Sequence, residues 1–443
     1  MNRSAPIREH IDYAKAASER IAPFVAADLF AGSVLVAKDG VALLRRGFGV
    51  ADRAWNVPHT PSGKFRLGSL TKQFTATAIL QLMERGLLGL DDEIAQHYPE
   101  APAAWRGVTL FYLLTHTSGI PSYTSIPGFF RDMAQHDLSP REIIALNENE
   151  PLEFPPGTRF KYCNGGYIIL GHIIERLSGR SYEDYVGVNL LLPLGLNDTG
   201  YEHVETVIPR LTRGYRHRDG GIENAAYIAM SLPYAAGAIY STADDLLAWQ
   251  RALAAEKPIG VQSVALMFAD HGHGYGFAWG IQRQFGRRHF VHAGGINGFS
   301  VVLSHYPEDD LSIVVLANIQ AAPVQKIARD LAALYFGVEE EREITLDAAL
   351  LADYVGVYQL ASGRVLRVTQ EGARLFVGTE EHGQQEFLAK DDHTFVGKMI
   401  DWEIFFEADG VEQASRAVLR RGGKELSAVR IADAASSAGG GDR

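Results

Sequence analysis

Residues 32–52 read GSVLVAKDGVALLRRGFGVAD. Two apolar, β-branched runs flank Lys38-Asp39-Gly40, and Asp-Gly between such runs is a strong hairpin signal. An antiparallel hairpin is therefore expected near the start of the chain. Strand-like texture returns only much later, in FAWGIQRQF (277–285), RHFVHAG (288–294), FSVVLSHYP (299–307) and LSIVVLANI (311–319). Between the two lies a region of helices with Gly- and Pro-rich connections. SLTKQFTATAILQLMER (69–85) reads as a buried helix stopped by Gly86, and STADDLLAWQRAL (241–253) as a helix capped by Ser241 or Thr242. Helical spacing of Ile11, Ala14, Ala17, Ile21 and Phe24 precedes the hairpin, and VQKIARDLAALYFG (324–337) reads as a closing helix. The fold class predicted is α+β: an antiparallel sheet whose two sequence halves meet in space, flanked by helices and carrying a helical insertion.

After the charged linker Glu339–Glu341 the texture changes. Eight short strand-like pieces run from YVGVYQL (354–360) to ELSAVRI (425–431), punctuated by Glu371-Gly372, Asp409-Gly410 and Gly422-Gly423. They predict a small all-β barrel, lipocalin-like in form. The expected division is a first domain over residues 1–340, a barrel over 341–432 and a flexible tail over 433–443.

Composition narrows the function classes. The 443 residues carry 42 Lys and Arg against 53 Asp and Glu, a net charge of −11. Without a basic block, nucleic acid is an unsuitable partner. The single cysteine, Cys163, excludes an internal disulfide and a Cys-based zinc site. Apolar runs fall far short of the ~20 residues that span a bilayer. The first 24 residues lack the apolar core of a secretory signal. A cytoplasmic location is expected, or a periplasmic one if a signal has been removed. Association of copies stays open.

Three constellations can do chemistry. Gly68-Ser69-Leu70-Thr71-Lys72 opens a helix, where positions i and i+3 share a face. A serine hydroxyl needs an adjacent base, and a buried lysine with a lowered pKa can serve. The same pair also reads as a capping serine beside a surface lysine. Lys161-Tyr162-Cys163-Asn164-Gly165-Gly166 lies on a loop before an apolar helix. Alternation puts Tyr162 and Asn164 on one side, for proton relay and carbonyl binding; Asn164 also fits a helix cap. His292-Ala293-Gly294-Gly295 ends a strand, and its glycines let a substrate approach closely, with a backbone N–H near Gly295 available to an oxyanion. Alone it reads equally as a turn.

In this order and spacing, S-x-x-K, Y-x-N and H-x-G resemble the serine β-lactamase and penicillin-recognising peptidase superfamily. The likeness is to the branch of class C β-lactamases, D,D-carboxypeptidases, D-aminopeptidases and esterases. FRLGSLTKQFTA, LLTHTSGI, FPPGTRFKYCNGGYIILGHIIERLSG, AAGAIYSTADDLLAW, YGFAWG and HAGGINGF carry it over residues 8–337. The barrel is similar to C-terminal domains of some D-aminopeptidases. The resemblance implies that Ser69 attacks a carbonyl, Lys72 and Tyr162 share the base work, and Asn164 contacts the acyl amide or Lys72. It further implies that the N–H groups of Ser69 and Gly295 form an oxyanion hole, and that His292, Gly294 and Gly295 line the substrate strand. No metal or organic cofactor is implied; the partner is a small-molecule or short-peptide substrate. The family commonly has lysine where this chain has His292. A mostly neutral histidine weakens the β-lactamase and D,D-carboxypeptidase alternatives, whose substrates carry a carboxylate, and favours a D-amino-acid peptidase or amidase or a small-ester esterase.

Other candidates are weaker. Asp270-His271-Gly272-His273 has no third metal ligand placed, and His116 in LLTHTSG reads as a helix-end residue. No Walker or Rossmann glycine motif occurs. A catalytically silent binding or scaffold protein is the rival from another class.

Overall fold

The computed structural model describes residues 12–218, 221–338, 344–379, 383–407, 413–421 and 424–432. The linker Glu339–Glu341, the turns Asp409-Gly410 and Gly422-Gly423, the tail 433–443 and Ile11 lie outside the described residues.

The expected hairpin forms β1 (Gly32–Lys38) and β2 (Val41–Phe48). Asp39 and Gly40 both have positive φ, 52° and 78°, as a tight hairpin turn demands. The later strands are β3 (Gly280–Gln284), β4 (Arg287–Ile296), β5 (Phe299–Tyr306) and β6 (Leu311–Ala317). All six join one antiparallel sheet in the order β3-β4-β5-β6-β1-β2. The halves meet where Gly32 pairs with Ala317 and Lys38 with Leu311. Every residue of β5 and β6 is buried, so they read as continuous apolar runs rather than alternating ones.

Before the sheet comes α1 (Tyr13–Ala26), capped by Asp12 and burying Tyr13, Ala17, Ile21 and Phe24. The long helix α2 (Thr71–Glu84) ends at Arg85, with Gly86 in the left-handed region behind it. Helix α2 is held from one side by Trp249, which stacks on Phe74 at 4.2 Å and donates its indole N–H to Gln73 Oε1 at 3.1 Å. Trp249 belongs to the helix Ala243–Ala254, capped by Thr242. Burying an aromatic pair of this size contributes several kcal/mol and fixes α2 in place.

Two compact units result. The first runs to Tyr215 and resumes over Asn224–Val324; the second takes the intervening Arg216–Glu223 and the chain from Gln325. The helix Val324–Phe336, expected to close the first unit, falls at that junction. All eight expected strands of the second unit are present, from Gly356–Leu360 to Lys424–Ala432, each paired with the next, and the first closes on the last. Closure removes the sheet edges. Tyr354, Tyr358, Phe387, Phe395 and Phe406 fill the interior, Tyr354 stacking on Phe406 at 4.6 Å. Eight strands enclose about this much side-chain volume. No helix among the described residues is long and apolar enough to cross a membrane.

Candidate active site

Ser69 lies in a 3₁₀ turn, Gly68–Leu70, that runs straight into α2. Neither the turn nor α2 has a side-chain N-cap, so Ser69 is not a capping serine. From Leu67 to Leu82 every residue is buried except Ser69. An otherwise buried segment thus presents a single hydroxyl.

Lys72 is fully buried, against the surface-lysine reading. Its Nζ stands 3.1 Å from Ser69 Oγ and donates to Asn164 Oδ1 and to the Ala236 carbonyl, both at 2.9 Å. The Tyr162 and Tyr167 rings lie 4.9 and 5.5 Å from it. Lys72 makes no ion pair with a carboxylate among the described residues. Burial therefore lowers its pKa from the ordinary lysine value to about 7, with only Cys163 acting the other way. A neutral amine has two hydrogens and one lone pair. Asn164 and Ala236 take the hydrogens, which aims the lone pair at Ser69.

Asn164 is the first residue of α3 (Asn164–Ser178), not its cap; Cys163 holds that place without a side-chain bond. The Asn164 Nδ2 donates to Thr124 Oγ1 and its backbone N–H to Ser122 Oγ, each at 3.2 Å. These bonds fix which amide atom faces Lys72. Tyr162 turns to the same side, as alternation predicts, while Cys163 points away and donates to the Ile120 carbonyl at 3.3 Å. The Tyr162 hydroxyl is buried and makes no hydrogen bond of regular geometry. Burial raises its pKa, the nearby Ser69 hydroxyl opposing this in part. Tyr162 is accordingly a protonated phenol, and Lys72 is the group ready to accept a proton.

The third constellation arrives on β4. His292 is 6% exposed and shares a hydrogen bond with Tyr275 through Nε2 at 2.9 Å. Burial, then the Lys72 charge, pushes its pKa down to about 3. It is neutral throughout the physiological range, a stronger departure from a lysine than the sequence alone suggests. The two glycines differ in role. A Cβ on Gly294 would lie 1.9 Å from the Leu67 carbonyl oxygen, whereas one on Gly295 would meet nothing within 4 Å. Gly294 lets β4 pack against the turn that carries Ser69; Gly295 faces open space. Gly68, with φ +51°, completes the approach, since a Cβ there would sit 2.8 Å from the Gly295 oxygen.

Gly294→Ala is therefore expected to destabilise the protein by about 1–3 kcal/mol, the usual cost of overpacking. Gly295→Ala should stay within about 0.5 kcal/mol of wild type. Urea unfolding of both variants checks this, and equal midpoints would remove the distinction.

Two residues of the cluster are not among the site residues named from sequence; His116 reads there as a helix-end residue, and it does follow the helix Leu110–Leu114. His116 is buried, its ring 4.2 Å from Tyr162 and 5.1 Å from Tyr275. Tyr275 follows a tight loop in which Asp270 accepts the N–H groups of Gly272 and Gly274. In that loop His271 bonds the Leu266 carbonyl at 2.8 Å, and His273 sits beside Phe160, so the histidines shape the approach to Tyr275. The signals available in sequence were a histidine just past a short helix and a tyrosine after a Gly-rich turn.

Comparison with known proteins bears on the family and the fold. The β-lactamase family model matches residues 17–337. A penicillin-binding protein of Bacillus subtilis (strain 168) is 29% identical over 433 residues, covering 90% of this chain and 95% of that protein. A D-aminopeptidase of Gluconobacter oxydans (strain 621H) is 28% identical over 73% of this chain and 62% of its own length. Among solved structures, the octameric penicillin-binding protein homologue from Pyrococcus abyssi aligns with a TM-score of 0.68 and 25% identity. That alignment covers 94% of this chain and 99% of that one, so it extends past the first unit. The chain belongs to the β-lactamase family and is, in the broad sense, a serine hydrolase.

Proposed function

We propose that the protein hydrolyses an ester or amide bond through an acyl-enzyme on Ser69, acting on a D-aminoacyl amide, a short peptide or a small ester. The observation that carries this is the two-point hold on Lys72 by Asn164 and Ala236, which leaves its lone pair directed at Ser69. Lys72 takes the Ser69 proton as Oγ attacks the carbonyl carbon. The N–H groups of Ser69 and Gly295, at the start of α2 and the edge of β4, receive the oxyanion. Tyr162, still protonated, hands its proton to the leaving group and takes in exchange the one that Lys72 accepted, so both groups are restored, and Asn164 orients Lys72 and the acyl amide. Water then attacks the ester carbonyl, giving a proton to Lys72, and that proton passes to Ser69 Oγ as the acyl–oxygen bond breaks. Gly294 acts through packing, and His292 forms the wall beside the scissile bond.

The substrate class follows from charge. His292 supplies no cation for a substrate carboxylate, which disfavours β-lactams and D-Ala-D-Ala peptides. The likeness to a D-aminopeptidase supports the D-aminoacyl choice. One panel decides: p-nitrophenyl esters, D- and L-aminoacyl anilides, D-Ala-D-Ala peptides and a chromogenic cephalosporin. Esters or D-aminoacyl anilides should turn over fastest. Preference for the carboxylate-bearing pair would instead make it a β-lactamase or D,D-carboxypeptidase. Silence across the panel, with no fluorophosphonate adduct on Ser69, would leave a binding or scaffold protein. We take residues 1–340 as the hydrolase domain and 341–432 as a separate barrel; the same panel run on a chain ending near Glu341 tests that division.

The ratio of kcat/KM for a matched anionic and neutral substrate should be flat from pH 6 to 9, because His292 titrates near 3. His292→Lys should raise that ratio at pH 8 by about 1 kcal/mol, one charge–charge contact. A wild-type ratio that climbs as the pH falls through 6.5 would show a protonated His292 meeting substrate.

A further inference from the structure

We propose that His116 is a positioning residue, a two-point clamp that holds Tyr162 and Asn164 within reach of Ser69 and Lys72. The inference rests on the acyl-enzyme reading above and adds a residue to it.

The short helix Leu110–Leu114 ends with Thr115 as its C-cap. The next residue, His116, has φ +58°, in the left-handed region. Its N–H donates to the Leu113 carbonyl at 3.4 Å, and the Thr117 N–H donates to Tyr112 at 2.9 Å. This is the Schellman ending of a helix, and the left-handed position in it is usually glycine, which adopts that conformation without strain. A histidine here accepts the strain, and buries a polar ring as well. Backbone geometry alone gives no reason for it.

The side chain supplies the reason. His116 Nδ1 accepts the Cys163 N–H at 3.1 Å, while the His116 carbonyl accepts the Lys161 N–H at 2.9 Å. One residue thus binds the backbone on both sides of Tyr162. Its ring lies 4.2 Å from the Tyr162 ring, centroid to centroid, and 5.2 Å from Tyr167. Because Cys163 immediately precedes Asn164, the same bond fixes the start of α3 and the amide that holds Lys72. The imidazole works as a neutral acceptor: Nδ1 is engaged by an N–H, and burial keeps the ring well below its usual pKa. On the far side Tyr275 packs against His116 and shares its hydroxyl with His292. The clamp therefore spans two of the three constellations.

The test separates positioning from folding. His116→Gly relieves the left-handed strain but removes the acceptor and the ring. Its kcat should fall about 10–100-fold, the scale of a misplacement near 1 Å, with KM within about threefold of wild type. His116→Asn tolerates the left-handed backbone and offers Oδ1 to the Cys163 N–H. It should recover most of the kcat lost by the glycine variant. Thermal melts confirm that both are folded. Wild-type kcat in a folded His116→Gly protein, or an asparagine variant no better than the glycine one, would overturn the proposal. If neither variant folds, hydrogen exchange on the wild-type protein decides. Lys161 and Cys163 amides exchanging as slowly as the core of α2 support the clamp, and free exchange refutes it. Ser69→Ala runs beside them: turnover there would sink the acyl-enzyme reading itself, a failure distinct from that of the clamp.

Discussion

Ser69→Ala is expected to reduce turnover by roughly 10⁴–10⁶-fold, the loss seen when a serine hydrolase is deprived of its nucleophile. The fold should hardly notice. Ser69 makes no capping bond, so the ~1 kcal/mol that a lost N-cap costs does not apply. Stability should stay within about 0.5 kcal/mol of wild type. Initial rates on the best substrate of the panel, together with a thermal melt, check both halves. A folded Ser69→Ala protein with near-wild-type rate is incompatible with an acyl-enzyme.

The second large effect belongs to Lys72 and its pH dependence. Only the deprotonated amine can accept the Ser69 proton. With the pKa at about 7, kcat/KM should rise about tenfold per pH unit below that point and level off above it. Lys72→Ala should lower kcat by roughly 10²–10⁴-fold and flatten this limb. Tyr162→Phe should cost a similar factor yet keep the limb near pH 7, because the phenol is not the group that titrates. The double variant should lose far less than the product of the two, as expected of groups serving one proton path. A limb that vanishes in Tyr162→Phe and survives in Lys72→Ala would reverse the assignment of the base.

The parts of the fold legible in sequence are those specified locally. Asp39-Gly40 between apolar runs names its own turn, and both residues take the positive φ that it needs. The barrel strands are short runs of strand-forming residues, and Glu371-Gly372 marks one of the turns between them. The S-x-x-K pair is local too, since three residues of helix bring Ser69 and Lys72 together. What sequence leaves hidden depends on distant packing. The environment of His292 is set by Tyr275, Tyr162 and Lys72, which come from a loop, a second loop and α2. Its neutrality is a property of burial, and no spacing rule reports burial. Gly294 and Gly295 are adjacent and identical in sequence, and the Leu67 carbonyl and the Val301 side chain, which crowd Gly294 alone, tell them apart. His116 was visible as a residue but not as a clamp, because its bonds run to a segment more than forty positions away.

The pairing of Gly32 with Ala317 has a consequence for how this chain is made. Strand β1 has only β2 as a neighbour until Leu311–Ala317 has been synthesised, so the sheet stays open along its central seam. At about 5–20 residues per second on the ribosome, that interval lasts roughly 15–60 s. During it the buried face of Gly32–Lys38 is exposed, with unpaired N–H and C=O groups along one edge. Contacts of such long sequence separation also form slowly after release. The first unit is thus a late-closing ring of chain, whose opening hairpin needs protection from other strands for most of its synthesis.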